Sequence, residues 1–361
     1  MPSLFIDAER LRNINSGLGQ LCLHLGRELV GTRPAGRPEG PWKVTFLVPK
    51  GRAGFFGPSA DHIEASWPRR LWIPGRYDVW HCLHQDSVYL PARSKLMLTI
   101  YDLNFLERAD YSAAKKARRL ARLQRKINRA SLLTAGSAHT ASVVRTHLRV
   151  PDALPFKVVY TGVAVREQDA PPDAPAFLAD HERPFFLFIG AIHPRKNVHT
   201  LLPLLEAFPA HRLVLAGPDH HAYARQVRDQ ARRTGVTDRL LMPGAVDEAA
   251  KSWLYAHCEA FVFPSLSEGF GLPLVEAMVF GKPVFASNLT SLPEIGGPDV
   301  YYFENFEPGS MVRMVREGLD DFRRNPERRE RLKKWVARYR WASVAAEYWK
   351  LYEELATVKG P

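Results

Sequence analysis

Apolar positions along the first half of the chain fall into short runs separated by helical periodicity. Leu4-Phe5-Ile6 forms a first strand-like run, and a glycine turn at Gly17-Leu18-Gly19 leads into residues 20–30. There Leu21, Leu25 and Leu29 repeat at i, i+4 and i+8, which predicts a helix. Strand-like runs follow at residues 43–48, 79–82, 95–101 and 132–134, with a basic helix over residues 113–130. After residue 184 the alternation resumes: strands at 185–189, 212–216, 240–242, 260–263 and 283–286, helices at 198–207, 222–234, 248–257 and 273–280. Residues 311–355 read as charged helix. Strands alternating with helices predict doubly wound, mostly parallel sheets, an α/β class. Residues 166–184 are rich in Pro, Ala and Asp, so a linker is expected at 171–184. The expected units are 1–170 and 185–335, Rossmann-like and facing a central cleft. Ligands of such sheets sit beyond the carboxyl ends of the strands.

Composition narrows the class. A chain of 361 residues suits two domains at roughly 150 residues each. Apolar residues are 46% and charged residues 24%, which excludes a disordered, collagen-like or coiled-coil chain. No apolar run reaches the roughly 18 residues of a membrane span, and the first residues lack a signal-peptide pattern, so a cytoplasmic location is expected. Cys22, Cys82 and Cys258 are too few and too dispersed for a disulfide framework or zinc ribbon. Net charge is +12, from 50 basic and 38 acidic residues, which favours anionic partners. Eight of the basic residues and no acidic one lie within residues 112–134.

Three loops carry candidate chemistry. The sharpest is Pro264-Ser265-Leu266-Ser267-Glu268-Gly269-Phe270-Gly271-Leu272-Pro273-Leu274-Val275-Glu276-Ala277, which leaves an apolar strand and enters a helix at Pro273. Gly269, Phe270 and Gly271 would turn backbone amides toward a ligand, where the helix dipole favours a phosphate. Glu268 in the loop and Glu276 in the first helical turn can accept hydrogen bonds from sugar or ribose hydroxyls. A capped helix with a tight turn is the plainer alternative, and for Glu276 alone it weighs equally. The second loop follows the strand ending at Gly190 and reads Ala191-Ile192-His193-Pro194-Arg195-Lys196-Asn197. Arg195 and Lys196 can neutralise a diphosphate, and Lys196 is expected in solvent within the cleft. The third, Asn15-Ser16-Gly17-Leu18-Gly19, lacks the third glycine of a dinucleotide fingerprint, because Cys22 stands there. It is a phosphate-accommodating or a purely structural turn.

Together these stretches resemble the retaining nucleotide-sugar glycosyltransferases of family 4, the group 1 glycosyl transferases with a GT-B fold. The carriers are Glu268 and Glu276 in the Ser-Glu-Gly-Phe-Gly-Leu-Pro-Leu-Val-Glu-Ala stretch, Gly190 with Arg195-Lys196-Asn197, Tyr160-Thr161-Gly162-Val163, and Ser291-Leu292-Pro293-Glu294-Ile295-Gly296. The resemblance runs over about residues 3–355, and it implies that residues 336–361 carry a helix back to the first unit. It implies transfer of a hexose of mannose or glucose/GlcNAc type, with retention, from a GDP- or UDP-linked donor. The acceptor it implies is a glycan or lipid-linked sugar in cell-surface polysaccharide or lipopolysaccharide synthesis. Glu268, Lys196, Arg195 and Asp102 would then be the catalytic set. Gly17, Gly19, Gly190, Arg195, Lys196, Gly269, Phe270, Gly271, Leu272 and Glu276 would bind the donor, with Glu276 on the ribose.

Family members carry His-Asp where this chain has Tyr101-Asp102, so Tyr101, His81 and His84 are the acceptor-side candidates. No cofactor or metal is expected, since no Asp-x-Asp motif occurs, and no Asp/Glu pair is placed as hydrolases require. The basic helix from Ala114 to Ala130 suits an anionic membrane surface, with Leu120, Leu123 and Ile127 on one face and Lys115, Arg119, Arg122, Lys126 and Arg129 on another. A core-docked helix with a basic outer face is the alternative. Nucleic acid is not an expected partner. Trp335, Trp341, Trp349 and Tyr352 are read as packing residues. The rival functional readings are a GT-B nucleotide-sugar epimerase and an inactive nucleotide-binding subunit.

Overall fold

The computed structural model describes residues 1–14, 16–34, 42–70, 72–108, 110–167, 173–178 and 183–357. Asn15 and much of the expected linker lie outside these residues. The chain packs as two compact units, Met1–Gly162 with Tyr339–Pro361, and Val163–Arg338.

The first unit is a seven-stranded parallel sheet of β1 (Ser3–Asp7), β2 (Lys43–Val48), β3 (Asp61–Glu64), β4 (Val79–Cys82), β5 (Lys95–Ile100), β6 (Ala130–Ala135) and β7 (Phe156–Val158). Its order is β3-β2-β1-β4-β5-β6-β7. The crossovers include α1 (Gly17–Gly31), α2 (Ala113–Ile127) and α3 (Ala138–His147). The second unit is a six-stranded parallel sheet, in order β10-β9-β8-β11-β12-β13. Its elements are β8 (Phe185–Ile189), α4 (Leu202–Ala207), β9 (Arg212–Ala216), α5 (Ala222–Arg233), β10 (Leu240–Gly244), α6 (Glu248–His257) and β11 (Ala260–Phe263). They continue with α7 (Leu272–Val279), β12 (Val284–Ser287), α8 (Leu292–Gly296), β13 (Tyr301–Phe303), α9 (Pro308–Arg324) and α10 (Glu327–Val336). Every residue of β8, β11 and β12 is buried, so these strands read as unbroken apolar runs. The charged stretch expected as helix over 311–355 is three helices, the third being α11 (Trp341–Thr357).

Helix α11 packs in the first unit, beside α1 and β4. Two core layers cover that unit's sheet: one holds α1 and α11, the other α2 and α3. A buried polar chain fastens α11. Tyr352 OH lies 2.8 Å from His81 Nδ1, His81 Nε2 lies 2.7 Å from Thr99 Oγ1, and Thr99 Oγ1 lies 2.6 Å from Thr134 Oγ1. Tyr348 also hydrogen-bonds the side chains of Thr99, Thr134 and Tyr101. In water these groups would be solvated, so once buried each requires a partner, and the network selects one seating of the helix.

Gly19 occupies a position where a Cβ would stand 2.0 Å from the Asn13 carbonyl oxygen. Its absence of a side chain lets α1 begin directly against the preceding turn, with Ser16 Oγ accepting from Gly19 N at 3.1 Å. Helix α2 differs from the expected stripe. Leu123 and Ile127 are buried, but Lys126 donates to the Gln85 carbonyl and Arg129 to the Pro91 carbonyl. Arg119 lies over the Phe105 ring at 5.3 Å. The cations left exposed in one row are Lys115, Arg118, Arg122 and Arg125. Among the described residues, no helix is long and apolar enough to cross a membrane.

Candidate functional site

In the second sheet the chain departs to one side after β8 and to the other after β11, and these two strands are neighbours. Their carboxyl ends therefore form the topological switch point, where loops diverge and leave a crevice. The loop after β8 carries Gly190 and then a single 3-10 turn, Pro194–Lys196, whose cap His193 accepts from Arg195 N at 3.3 Å. Asn197 closes the turn with φ 56°, a left-handed conformation that asparagine tolerates. The loop after β11 runs into α7. Gly271 is its N-cap at φ 97°, and a Cβ there would stand 2.6 Å from Leu292, so glycine is required on two counts.

The two loops are tied together by charge. Glu268 Oε1 accepts from Lys196 Nζ at 2.5 Å and Glu268 Oε2 from Arg195 at 3.2 Å. Arg195 also donates to the Ser267 carbonyl, and Leu266 N donates to the Arg195 carbonyl at 2.8 Å. A third loop, after β12, supports the second: Thr290 Oγ1 accepts from Glu268 N at 3.0 Å, and Ser291 Oγ donates to the carbonyls of Glu268 and Phe270. Phe270 is buried, so its side chain anchors the loop. Lys196 is 8% exposed, as is Glu268. This corrects the expectation that Lys196 sits in solvent: its ammonium lies 5.0 Å from the Phe263 ring centroid and faces the Glu268 carboxylate.

Burial pushes the Glu268 carboxyl up, but Lys196 and Arg195 together outweigh it and hold the group below its ordinary value. For Lys196, burial lowers the affinity for the proton, with Glu268 opposing and Arg195 adding to the loss. Two cations share one carboxylate, so the cluster keeps a surplus positive charge beside the positive end of α7, an arrangement matched to an anionic ligand.

Glu276 lies in the second turn of α7, one turn later than expected. Its carboxylate is engaged by Lys251 Nζ at 3.2 Å and Tyr255 OH at 2.8 Å, both from α6. Lys251 also pairs with Glu248 at 2.7 Å. Each carboxylate oxygen of Glu276 can still accept from a ligand hydroxyl. Thr290, Lys251 and Tyr255 were not among the sequence candidates. They act through residues 22, 25 and 21 positions away, and no local pattern marks such pairs.

The remaining candidates lie in the first unit. Gly17 opens α1 with free space around it, while Gly19 serves the local packing already described. Asp102 is half-buried at the end of β5, and its Oδ1 accepts from Asn104 N at 3.0 Å. His81 is overturned as an acceptor-side residue. It is fully buried under α11, both ring nitrogens are engaged, and burial lowers its pKa to about 3. Tyr101 is likewise turned inward: it is buried, hydrogen-bonded to Tyr348 and packed where Gly136 leaves room for its ring. His84 is buried near the carboxyl end of β4, with neither ring nitrogen hydrogen-bonded.

Replacing Glu268 by Gln would leave Lys196 buried without its counter-charge, a loss of about 3 kcal/mol in urea unfolding at neutral pH. Because the folded pKa of Glu268 is depressed, its contribution is complete above the ordinary glutamate value near 4.5 and is lost as pH falls through the lower folded value. The stability gap between wild type and Glu268→Gln should therefore close on acidification. A gap that stays constant down to pH 3 would mean the carboxylate charge is not what holds the loops.

Residues 170–337 match the family model described as glycosyl transferases group 1. The chain is 30% identical over 245 residues to O-antigen chain mannosyltransferase B of Escherichia coli, covering 63% of this chain and 62% of that protein. It is 33% identical over 175 residues to the GDP-mannose:cellobiosyl-diphosphopolyprenol alpha-mannosyltransferase of Komagataeibacter xylinus, covering 46% of this chain and 43% of the relative. The chain thus spans less than two thirds of these curated relatives. Sucrose-phosphate synthase from Thermosynechococcus elongatus superposes with a TM-score of 0.75 at 18% identity, covering 99% of this chain and all of the other. An Anabaena protein solved with UDP and glucose gives 0.72 at 17% identity, covering 98% of this chain and all of the other. The fold is GT-B.

Proposed function

We propose that this chain, whose residues 170–337 match the glycosyl transferases group 1 model, transfers a mannose-type hexose from a nucleoside diphosphate sugar to a glycan or lipid-linked acceptor, with retention, as a family 4 enzyme. The observation that carries this reading is the Arg195–Lys196–Glu268 cluster at the β8/β11 switch point. A sugar leaving a nucleoside diphosphate deposits negative charge on the β-phosphate. Two preset cations in a largely water-excluded crevice stabilise that charge as it develops. Arg195 presents a planar fork and Lys196 a point charge, which together suit a diphosphate. Glu268 keeps both side chains extended before the donor arrives and can also accept a hydrogen bond from a hydroxyl of the transferred sugar. Glu276, oriented by Lys251 and Tyr255, is assigned to the ribose hydroxyls. Retention follows if the leaving diphosphate takes the acceptor proton on the face it departs from, a route in which no protein carboxylate needs to act as nucleophile. The names of the bacterial relatives support mannose and a GDP-linked donor.

Proton NMR of the purified chain with GDP-mannose, GDP-glucose, UDP-glucose and UDP-GlcNAc tests this. GDP-mannose should be consumed in the presence of a polyprenyl diphosphate-linked glycan, and the new linkage should keep the donor's anomeric configuration. An inverted product would remove the retaining mechanism. Epimerisation without an acceptor would replace the transferase reading.

The exposed row Lys115, Arg118, Arg122 and Arg125 on α2 suits the anionic surface on which a lipid-linked acceptor is held. The chain should co-sediment with vesicles containing phosphatidylglycerol and not with neutral ones. The double substitution Arg122→Glu, Arg125→Glu should release it. Equal sedimentation of wild type and variant would assign the binding elsewhere.

A further inference from the structure

Two non-glycine residues among those described hold a left-handed backbone, Asn197 and Thr290, each at φ 56°. Asparagine tolerates that conformation. Threonine, branched at Cβ, crowds its own backbone there. Both residues stand at the charged cluster: Asn197 directly follows Lys196, and Thr290 Oγ1 accepts from Glu268 N at 3.0 Å. A strained residue persists only where its surroundings over-determine it, and such residues gather at functional sites. We propose that Thr290 is a positioning residue: its strained backbone sets a hydroxyl on the Glu268 amide and so presets the Glu268 carboxylate between Lys196 and Arg195. The proposal rests on the glycosyl-transfer reading for what the two cations serve.

The chain after β12 gives up two local preferences to make this contact. The first is the backbone of Thr290. Consecutive side chains of an extended segment point to opposite faces, so neighbouring hydroxyls reach one loop only where the backbone turns between them. Strand β12 ends at Ser287, Thr290 is left-handed, and Ser291 follows in helical conformation at φ −80° and ψ −13°. That turn aims both hydroxyls at the loop after β11. The second is the cap of α8. Ser291 occupies its N-cap position, where serine ordinarily accepts from the helix's own amides, yet it makes no such bond. Fully buried, it donates instead to the carbonyls of Glu268 at 2.9 Å and Phe270 at 3.2 Å.

Of the two hydroxyls, that of Thr290 makes the more selective contact. Ser291 shares one proton between two carbonyls, an arrangement that tolerates small shifts of the loop. Thr290 Oγ1 accepts from the amide of the very residue whose carboxylate meets both cations. A carboxylate buried this deeply is stable only while its partners stay within hydrogen-bond reach, so the orientation of the peptide before Glu268 matters. A turn needed only for its direction is served by glycine, which carries no penalty at positive φ, as at Gly271 and Gly297. What threonine adds at position 290 is the hydroxyl.

The test compares the full wild-type chain with Thr290→Gly, Thr290→Ala and Thr290→Ser by two readouts, carbon NMR titration of the Glu268 carboxyl and calorimetry with GDP and UDP. In the wild type, Lys196 and Arg195 hold that carboxyl below its ordinary value. In Thr290→Gly and Thr290→Ala it should titrate higher, back toward the ordinary 4.5, and affinity for the preferred nucleotide should fall by roughly tenfold. Thr290→Ser should restore both. A turn with no positioning role predicts the reverse for glycine: relief of strain, an unchanged carboxyl titration and unchanged affinity. That result, or a serine variant that behaves like the glycine one, overturns the proposal. If the titration moves as stated while neither wild type nor any variant binds either nucleotide, the positioning role of Thr290 stands and the diphosphate reading falls.

Discussion

One buried carboxylate between two cations sets the geometry of the second unit. Glu268 engages both Arg195 and Lys196, which belong to a loop 73 and 72 positions earlier in the chain. Burying a lone lysine or glutamate is costly, and a close pair offsets that cost only when its remaining hydrogen bonds are also met. The surrounding loops meet them: Thr290 and Ser291 hold the Glu268 backbone, and Gly271 turns the chain into α7. The neighbouring strands β8 and β11 bring the loops together without any shared sequence signal.

The same topological rule operates in both units. A parallel sheet wound in two directions leaves a crevice where the winding reverses, and side chains just past the strand ends are the ones that can line it. In the second unit the crevice is lined by cations with a counter-charge. In the first it is lined by side chains of both signs around an unpartnered histidine.

The sequence makes the strands legible because fully buried parallel strands are continuous apolar runs, and Phe185–Ile189 and Ala260–Phe263 are such runs. The loop chemistry was legible where glycine and proline punctuate it. Burial was not. Lys196 looks like a solvated cation beside Arg195 until Glu268 is seen opposite. His81 looks like a loop histidine until α11 arrives, with Tyr352 lying 271 residues along the chain. The basic helix shows the same limit. Arg119 and Lys126 share a face by periodicity, yet nearby rings and carbonyls draw them in, and the exposed row shifts to Lys115, Arg118, Arg122 and Arg125.

The central claim is that Lys196 and Arg195 form a diphosphate site held in readiness by Glu268. Isothermal titration calorimetry of GDP and UDP against wild type and Lys196→Ala measures it most directly, because Arg195 still pairs with Glu268 in the variant. A charge-assisted hydrogen bond is worth about 1.5–3 kcal/mol, so the substitution should weaken the preferred nucleotide by roughly 10- to 100-fold. Equal affinity for wild type and Lys196→Ala, with both folded, would contradict the account.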